Sequence, residues 1–222
     1  VRLAIFDLDN TLIAGDSDHA WGEFMVQEGM VDAQAYKLAN DQFYADYEAG
    51  QLDLEAYLEF SLAPLTRYSL EELAQLHNKF MQQVIDPLRL PKAEALLQEH
   101  RDAGDYLLII TSTNGFITKP IAESLGVDDI LATDAEILDD RYTGRIVGTP
   151  CFQSGKITRL QEWLRHAGER GFSGSLDDCY FYSDSMNDLP LLLQVDNPVV
   201  VDPDPALAEH AQQAGWPVIS LR

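Results

Sequence analysis

Leu3-Ala4-Ile5-Phe6-Asp7-Leu8-Asp9-Asn10-Thr11-Leu12 is the stretch that decides the fold. Four apolar residues, the length of a short strand, run straight into two carboxylates and a turn. Side chains alternate along a strand, so Asp7 and Asp9 leave it on the same side. Two carboxylates this close repel each other unless a cation or a shared proton relieves them. The pattern suits a Mg²⁺ ligand and nucleophile beside a proton donor; the alternative is a solvated acidic turn. An EF-hand calcium loop fits poorly, because Leu12 stands where that loop needs Gly.

Outward from this point, strands and helices alternate. Apolar runs of strand character lie at Tyr106–Thr111, Cys179–Tyr182, Val199–Val201 and Pro217–Ser220. Helical periodicity marks Pro91–Ala103, Lys156–Ala167, Asn187–Val195 and Asp204–Ala214, the last opening on Asp204-Pro205 and stopping at Gly215. This order predicts an α/β protein: a Rossmann-like, doubly wound parallel sheet with ligands beyond the carboxyl ends of its strands. From Asp16 to Ile85 the pattern is helical throughout. Ser69-Leu70-Glu71-Glu72 reads as a capping box, and Leu70, Leu73, His77, Phe80, Met81 and Val84 share one face of the helix behind it. Tyr36, Phe43, Tyr44 and Tyr47 predict another helix before Gly50-Gln51, with core packing the favoured reading of that aromatic stripe. So long an interruption after the first strand is an inserted helical cap domain. The expected division is a core domain of residues 1–14 and 88–222 and a cap domain of residues 15–87. Glu136–Val147, with Asp139-Asp140 as its turn, predicts a β-hairpin.

Two more strand ends carry polar clusters. Cys179–Tyr182 leads into Ser183-Asp184-Ser185-Met186-Asn187-Asp188, although an acid at a helix start is often only a cap. Thr111-Ser112-Thr113-Asn114-Gly115 offers hydroxyls and turn amides to an anion. Gly155-Lys156 opens a helix and supplies one cation. It is not a P-loop, since Pro150 replaces the first Gly and Ile157 the Ser or Thr.

Asp-x-Asp-x-Thr, a strand-end Thr, a Lys and Asp-x-x-x-Asp, in that order over essentially the whole chain, resemble the haloacid dehalogenase superfamily. The resemblance implies that Asp7 is the nucleophile that becomes an aspartyl-phosphate, and that Asp9 protonates the leaving alcohol and then activates water. It implies that Thr111, with Ser112 beside it, binds phosphoryl oxygens and that Lys156 neutralises the Asp7–phosphoryl pair. It also implies a Mg²⁺ cofactor held by Asp7, the main-chain carbonyl of Asp9, Asp184 and, in support, Asp188. Ser183 departs from the Gly common before the third acid. The acid at position 9 resembles the phosphatases and phosphomutases of the superfamily rather than its dehalogenases. The helical cap is similar to that of the branch containing phosphoserine phosphatase, whose caps close over small phosphomonoesters.

In that branch an acid nine positions after the nucleophile meets the substrate amine, which implies Asp16 here, with a helix N-cap as the rival role. The cap arginine that binds the serine carboxylate has no counterpart in Leu52–Ser61, and Arg67 is the nearest candidate. An amine-binding acid without that Arg implies an amino alcohol phosphate, with L-histidinol phosphate first. Phosphoserine, another small phosphomonoester or a phosphotransfer reaction are the alternatives. The composition agrees: 37 Asp and Glu against 15 Lys and Arg give a formal charge of −22 in 222 residues. Such a chain repels nucleic acid and anionic lipid surfaces, so neither is an expected partner. The longest apolar runs are far short of a membrane span. Two cysteines form no disulfide framework, and the N-terminal stretch carries no signal-peptide pattern, so the cytoplasm is the expected compartment. The oligomeric state is not legible.

Overall fold

The computed structural model describes all residues, Val1–Arg222. Seven strands form one sheet in the order β4-β3-β2-β1-β5-β6-β7. They are β1 (Leu3–Phe6), β2 (Tyr106–Asn114), β3 (Asp129–Leu138), β4 (Arg141–Val147), β5 (Tyr180–Ser183), β6 (Asn197–Val201) and β7 (Val218–Ile219). All neighbours are parallel except the β3–β4 hairpin. β1 is the centre, and the chain order reverses on its two sides. Ligands bind at such a switch point.

Strand alternation divides the core into two layers. Ala4, Phe6, Leu107, Ile109 and Tyr182 face one layer, whereas Leu3, Ile5, Leu108, Ile110 and Phe181 face the other. Each such side chain removed from water contributes roughly 1.5–3 kcal/mol. With both faces covered, the middle strands read as unbroken apolar runs, as in parallel sheets generally.

Between β1 and β2 the chain is helical. Four helices, α1 (Ser17–Gln27), α2 (Ala33–Glu48), α3 (Leu54–Leu62) and α4 (Leu70–Phe80), are followed by a π-helical turn (Met81–Ile85) and the short α5 (Asp86–Leu88). Asp16, Asp32, Asp53 and Ser69 each cap the helix behind them, and Ser69 forms the full capping box with Glu72. The two connections to the sheet run side by side, with Ala14 N–H donating to the Leu88 carbonyl at 2.9 Å and Ile13 bridging Arg89. Trp21, Phe24 and Phe80 join the same apolar cluster as Phe6 and Leu97. The inserted helices therefore continue a layer of the core through α1 and α4, while α2 and α3 stand over the sheet's carboxyl rim.

The remaining helices are α6 (Pro91–Asp102), α7 (Gly115–Leu125), α8 (Ser154–Leu164), α9 (Leu189–Leu192) and α10 (Pro205–Ala214). Three details differ from the sequence expectation. β3 begins at Asp129, seven residues before the anticipated hairpin, because its first half pairs parallel with β2 before it turns antiparallel against β4. α7 was not anticipated. The helix expected over Asn187–Val195 is instead a 3₁₀ turn (Met186–Asp188) followed by α9. No helix is long and apolar enough to cross a membrane, and both cysteines are buried free thiols.

Candidate active site

Every polar cluster singled out above lies at the carboxyl rim of the sheet. β1 is held in place on the β5 side by the Asp7 N–H, which donates to the Tyr182 carbonyl at 2.9 Å. The chain then turns at Asn10, whose φ of 57° is left-handed. This turn leaves Asp7 and Asp9 lining one cleft beneath α2 and α3. Lys156 arrives from the first turn of α8 and is 2 % exposed. Its Nζ lies 2.8 Å from Asp7 Oδ1 and 2.7 Å from Asp188 Oδ1. Gly155 is required next to it, since a Cβ there would collide with the Pro150 carbonyl. Burial works against the Lys156 charge, but Asp188 and Asp7 outweigh it and hold the ammonium protonated.

The carboxylates have distinct supports. Asp9 accepts the Ser17 N–H at 2.7 Å on Oδ1 and the Thr113 hydroxyl at 2.8 Å on Oδ2. Asp184 accepts the Thr11 hydroxyl at 3.0 Å. Asp188 accepts the Ser183 hydroxyl at 2.7 Å, so the Ser that replaces the usual Gly buttresses the rim. Burial raises Asp7 to about 7, with Lys156 opposing and Asp188 adding to the shift. Burial and then the charge of Asp16 raise Asp9 to about 7 as well. Burial, Asp7 and Asp188 push Asp184 well above the ordinary range. A carboxyl that holds its proton near neutral pH is suited to general acid–base work.

Of the hydroxyl-rich run, Ser112 and Thr113 line the cleft. Thr111 is buried, and its Oγ1 accepts the Thr113 N–H at 3.2 Å. Thr113 was not singled out from sequence, although it stood within the quoted motif. Asp16 lines the cleft, and its Oδ1 caps α1 by accepting the His19 N–H at 2.7 Å. Arg67 is exposed and outside the cleft, and no arginine lines that cleft.

The opposite wall belongs to α2 and α3. Phe43, Tyr44 and Tyr47 face the cleft with Tyr57 of α3, whereas Tyr36 stacks on Phe60 at 4.4 Å. The aromatic stripe is thus divided between wall and packing. Gly22 lets α2 approach α1 closely enough for Asn40 Nδ2 to donate to the His19 carbonyl at 3.0 Å. The far end of α2 is tied to the rim: Asn187 Nδ2 donates to the Tyr47 carbonyl at 3.1 Å and Gln153 Nε2 to Asn187 Oδ1 at 3.1 Å. Asp18, also missed from sequence, completes the wall beside Asp16.

Residues 4–193 match the haloacid dehalogenase-like hydrolase family. The chain belongs to that family. It is 50% identical over 222 residues to a histidinol-phosphatase of Neisseria meningitidis serogroup C (strain 8013), covering 100% of this chain and 99% of that protein. A protein of unknown function from Bordetella pertussis Tohama I has a crystal structure that superposes with a TM-score of 0.92 at 43% identity, covering 100% of this chain and 99% of that one. A substrate-bound phosphoserine phosphatase superposes with a TM-score of 0.68 at 20% identity, covering 98% and 92% of the two chains. That likeness is one of fold.

Proposed function

We propose that this haloacid dehalogenase-type phosphatase hydrolyses a small phosphomonoester bearing an amine, L-histidinol phosphate, through an aspartyl-phosphate on Asp7. The observation that carries the reading is the asymmetry of the cleft. At its floor Asp7 is paired with Lys156, and at its wall Asp16 and Asp18 form no ion pair with a lysine or arginine. Without an arginine to receive a carboxylate, phosphoserine is disfavoured. The name borne by the 50% identical Neisseria relative supports the same substrate.

An Asp7 oxygen attacks phosphorus in line with the ester oxygen, and the P–O ester bond breaks as the Asp7–P bond forms. Asp9, protonated near neutral pH and positioned by Ser17 and Thr113, gives its proton to the departing alkoxide. The resulting carboxylate takes a proton from water, which attacks the same phosphorus, frees inorganic phosphate and restores Asp7. Lys156 offsets the charge that gathers at Asp7. Ser112 and Thr113, together with Thr111 at the same strand end, are the hydroxyls available for phosphoryl oxygens.

The donor set also fits Mg²⁺. Asp7, Asp184 and Asp188 supply hard oxygen ligands, and burial first, then the repulsion among these acids, holds Asp7 and Asp184 above the ordinary carboxyl range, a cost that a divalent cation would relieve. With the Asp9 main-chain carbonyl, these residues would hold the ion, which when bound neutralises negative charge around the phosphoryl group. The test is phosphate release by purified protein, with and without Mg²⁺, from histidinol phosphate, phosphoserine and sugar phosphates. Histidinol phosphate should give the highest kcat/KM. Efficient hydrolysis of phosphoserine would overturn the substrate while leaving the phosphatase chemistry in place.

A further inference from the structure

Asp18 lines the same cleft as Asp16 and has its own support. The Tyr57 hydroxyl of α3 donates to its Oδ2, while Oδ1 has no donor within the chain. Asp18 forms no ion pair, and the Tyr57 ring meets Phe43 edge to face at 5.4 Å. A carboxylate with one free oxygen beside a wall of aromatic rings suits a flat basic group, which can stack or make a cation–π contact while donating an N–H.

Resting on the reading above, we propose that Asp18, positioned by Tyr57, is a specificity-determining residue that accepts a hydrogen bond from the substrate's second basic group, a ring N–H, while Asp16 receives the amine. The placement of groups supports this. Asp7, paired with Lys156, and Asp9 stand at the sheet rim, while Asp16 and Asp18 line the same cleft from the start of α1, Asp18 under the Tyr57 hydroxyl. An ester with a phosphate, an amine and a basic ring offers one group to each of these three stations. Charge points the same way. Of the six carboxylates at the site (Asp7, Asp9, Asp16, Asp18, Asp184, Asp188) only Asp7 and Asp188 pair with Lys156, and the one other basic side chain at the cleft is His19, so a substrate with two basic groups adds positive charge where carboxylates outnumber it.

Three esters separate the stations: histidinol phosphate, phenylalaninol phosphate (amine and ring, no ring nitrogen) and 3-(imidazol-4-yl)propyl phosphate (ring nitrogen, no amine). Asp18→Asn should lower kcat/KM for both imidazole esters by about 10- to 150-fold, chiefly through KM, and for phenylalaninol phosphate by no more than about 3-fold. Asp16→Asn should damage the two amine-bearing esters instead. Tyr57→Phe should reproduce a weaker form of the Asp18 pattern, which a merely structural tyrosine would not. Equal losses on all three esters in Asp18→Asn would overturn the assignment. If the wild type released no phosphate from histidinol phosphate, the substrate reading itself would fall, and this assignment with it.

Discussion

The rim of the sheet and the wall made by the inserted helices carry the same residue, aspartate, in opposite states of preparation. At the rim each carboxylate has a resident partner: Lys156 for Asp7 and Asp188, Ser17 and Thr113 for Asp9, Thr11 for Asp184. At the wall Asp16 accepts from backbone N–H groups of α1 and Asp18 from the Tyr57 hydroxyl, and neither pairs with a lysine or arginine. Groups that repeat the same chemistry in every turnover benefit from fixed positions before substrate arrives. Groups that discriminate among substrates benefit from charge that only the correct ligand neutralises, because the wrong one leaves it buried and unpaired. On the proposed reading, the rim serves the reaction and the wall the choice of molecule.

The sharpest way to break this division is at the rim. Asp7→Asn should abolish phosphate release from every ester alike, since an amide is neither an adequate nucleophile nor a charged metal ligand. Excess EDTA should do the same reversibly, with activity returning on addition of Mg²⁺. Wild-type turnover in purified Asp7→Asn would refute the mechanism, and activity indifferent to EDTA would remove the metal separately.

Asp9→Asn comes next. Loss of acid–base catalysis should cost about 10²–10⁴-fold in kcat. The loss should be smaller for a phenyl ester, whose leaving group needs less protonation than an alkoxide. A uniform loss across leaving groups, measured as kcat against alcohol pKa, would make Asp9 a positioning residue.

These rim residues were legible because their placement is local. A strand that ends in Asp-x-Asp puts both carboxylates on one side by alternation alone, and the same strand-end pattern picked out Asp184 and Asp188, whereas Lys156 stood at a helix start and took its role from the family resemblance. The wall was harder. Asp18 and Tyr57 lie 39 residues apart and meet only where α3 reaches the start of α1, which no short-range pattern encodes. α7 was hidden because Gly115 opens it and Pro120 sits inside it, two residues that normally mark loops. The first half of β3 is entered through two acids, Asp128 and Asp129, a residue type that strands seldom favour. Their side chains in fact accept from the Leu107 N–H and the Trp163 indole. Ser183 looked like a departure from the motif, and its use as a donor to Asp188 depends on a register visible only in the folded sheet.

The smallest effect tests the wall without turnover. Burial is the main cause that raises Asp18 from 3.8 to about 7, and Tyr57 only partly opposes it. A carboxyl with a raised folded-state pKa contributes stability that is fully present below pH 3.8 and is lost as the pH climbs through about 7. Above that point the wild type carries a half-buried, unpaired charge that Asn would not. In metal-free, substrate-free buffer at pH 8, Asp18→Asn should therefore melt above the wild type. Allowing for partial exposure, the gain is on the order of 1–2 kcal/mol, or about 2–8 °C for a chain of this size. At pH 5 the difference should shrink, because both proteins then carry a neutral group there. Histidinol phosphate in the same metal-free buffer, where it is not turned over, should reverse the order at pH 8, since a ligand that pairs with the charge stabilises the wild type more. Thermal scans at the two pH values, with and without ligand, read all four states. A variant that melts below the wild type in every one of them would make Asp18 a structural anchor for Tyr57 and erase the distinction between wall and rim.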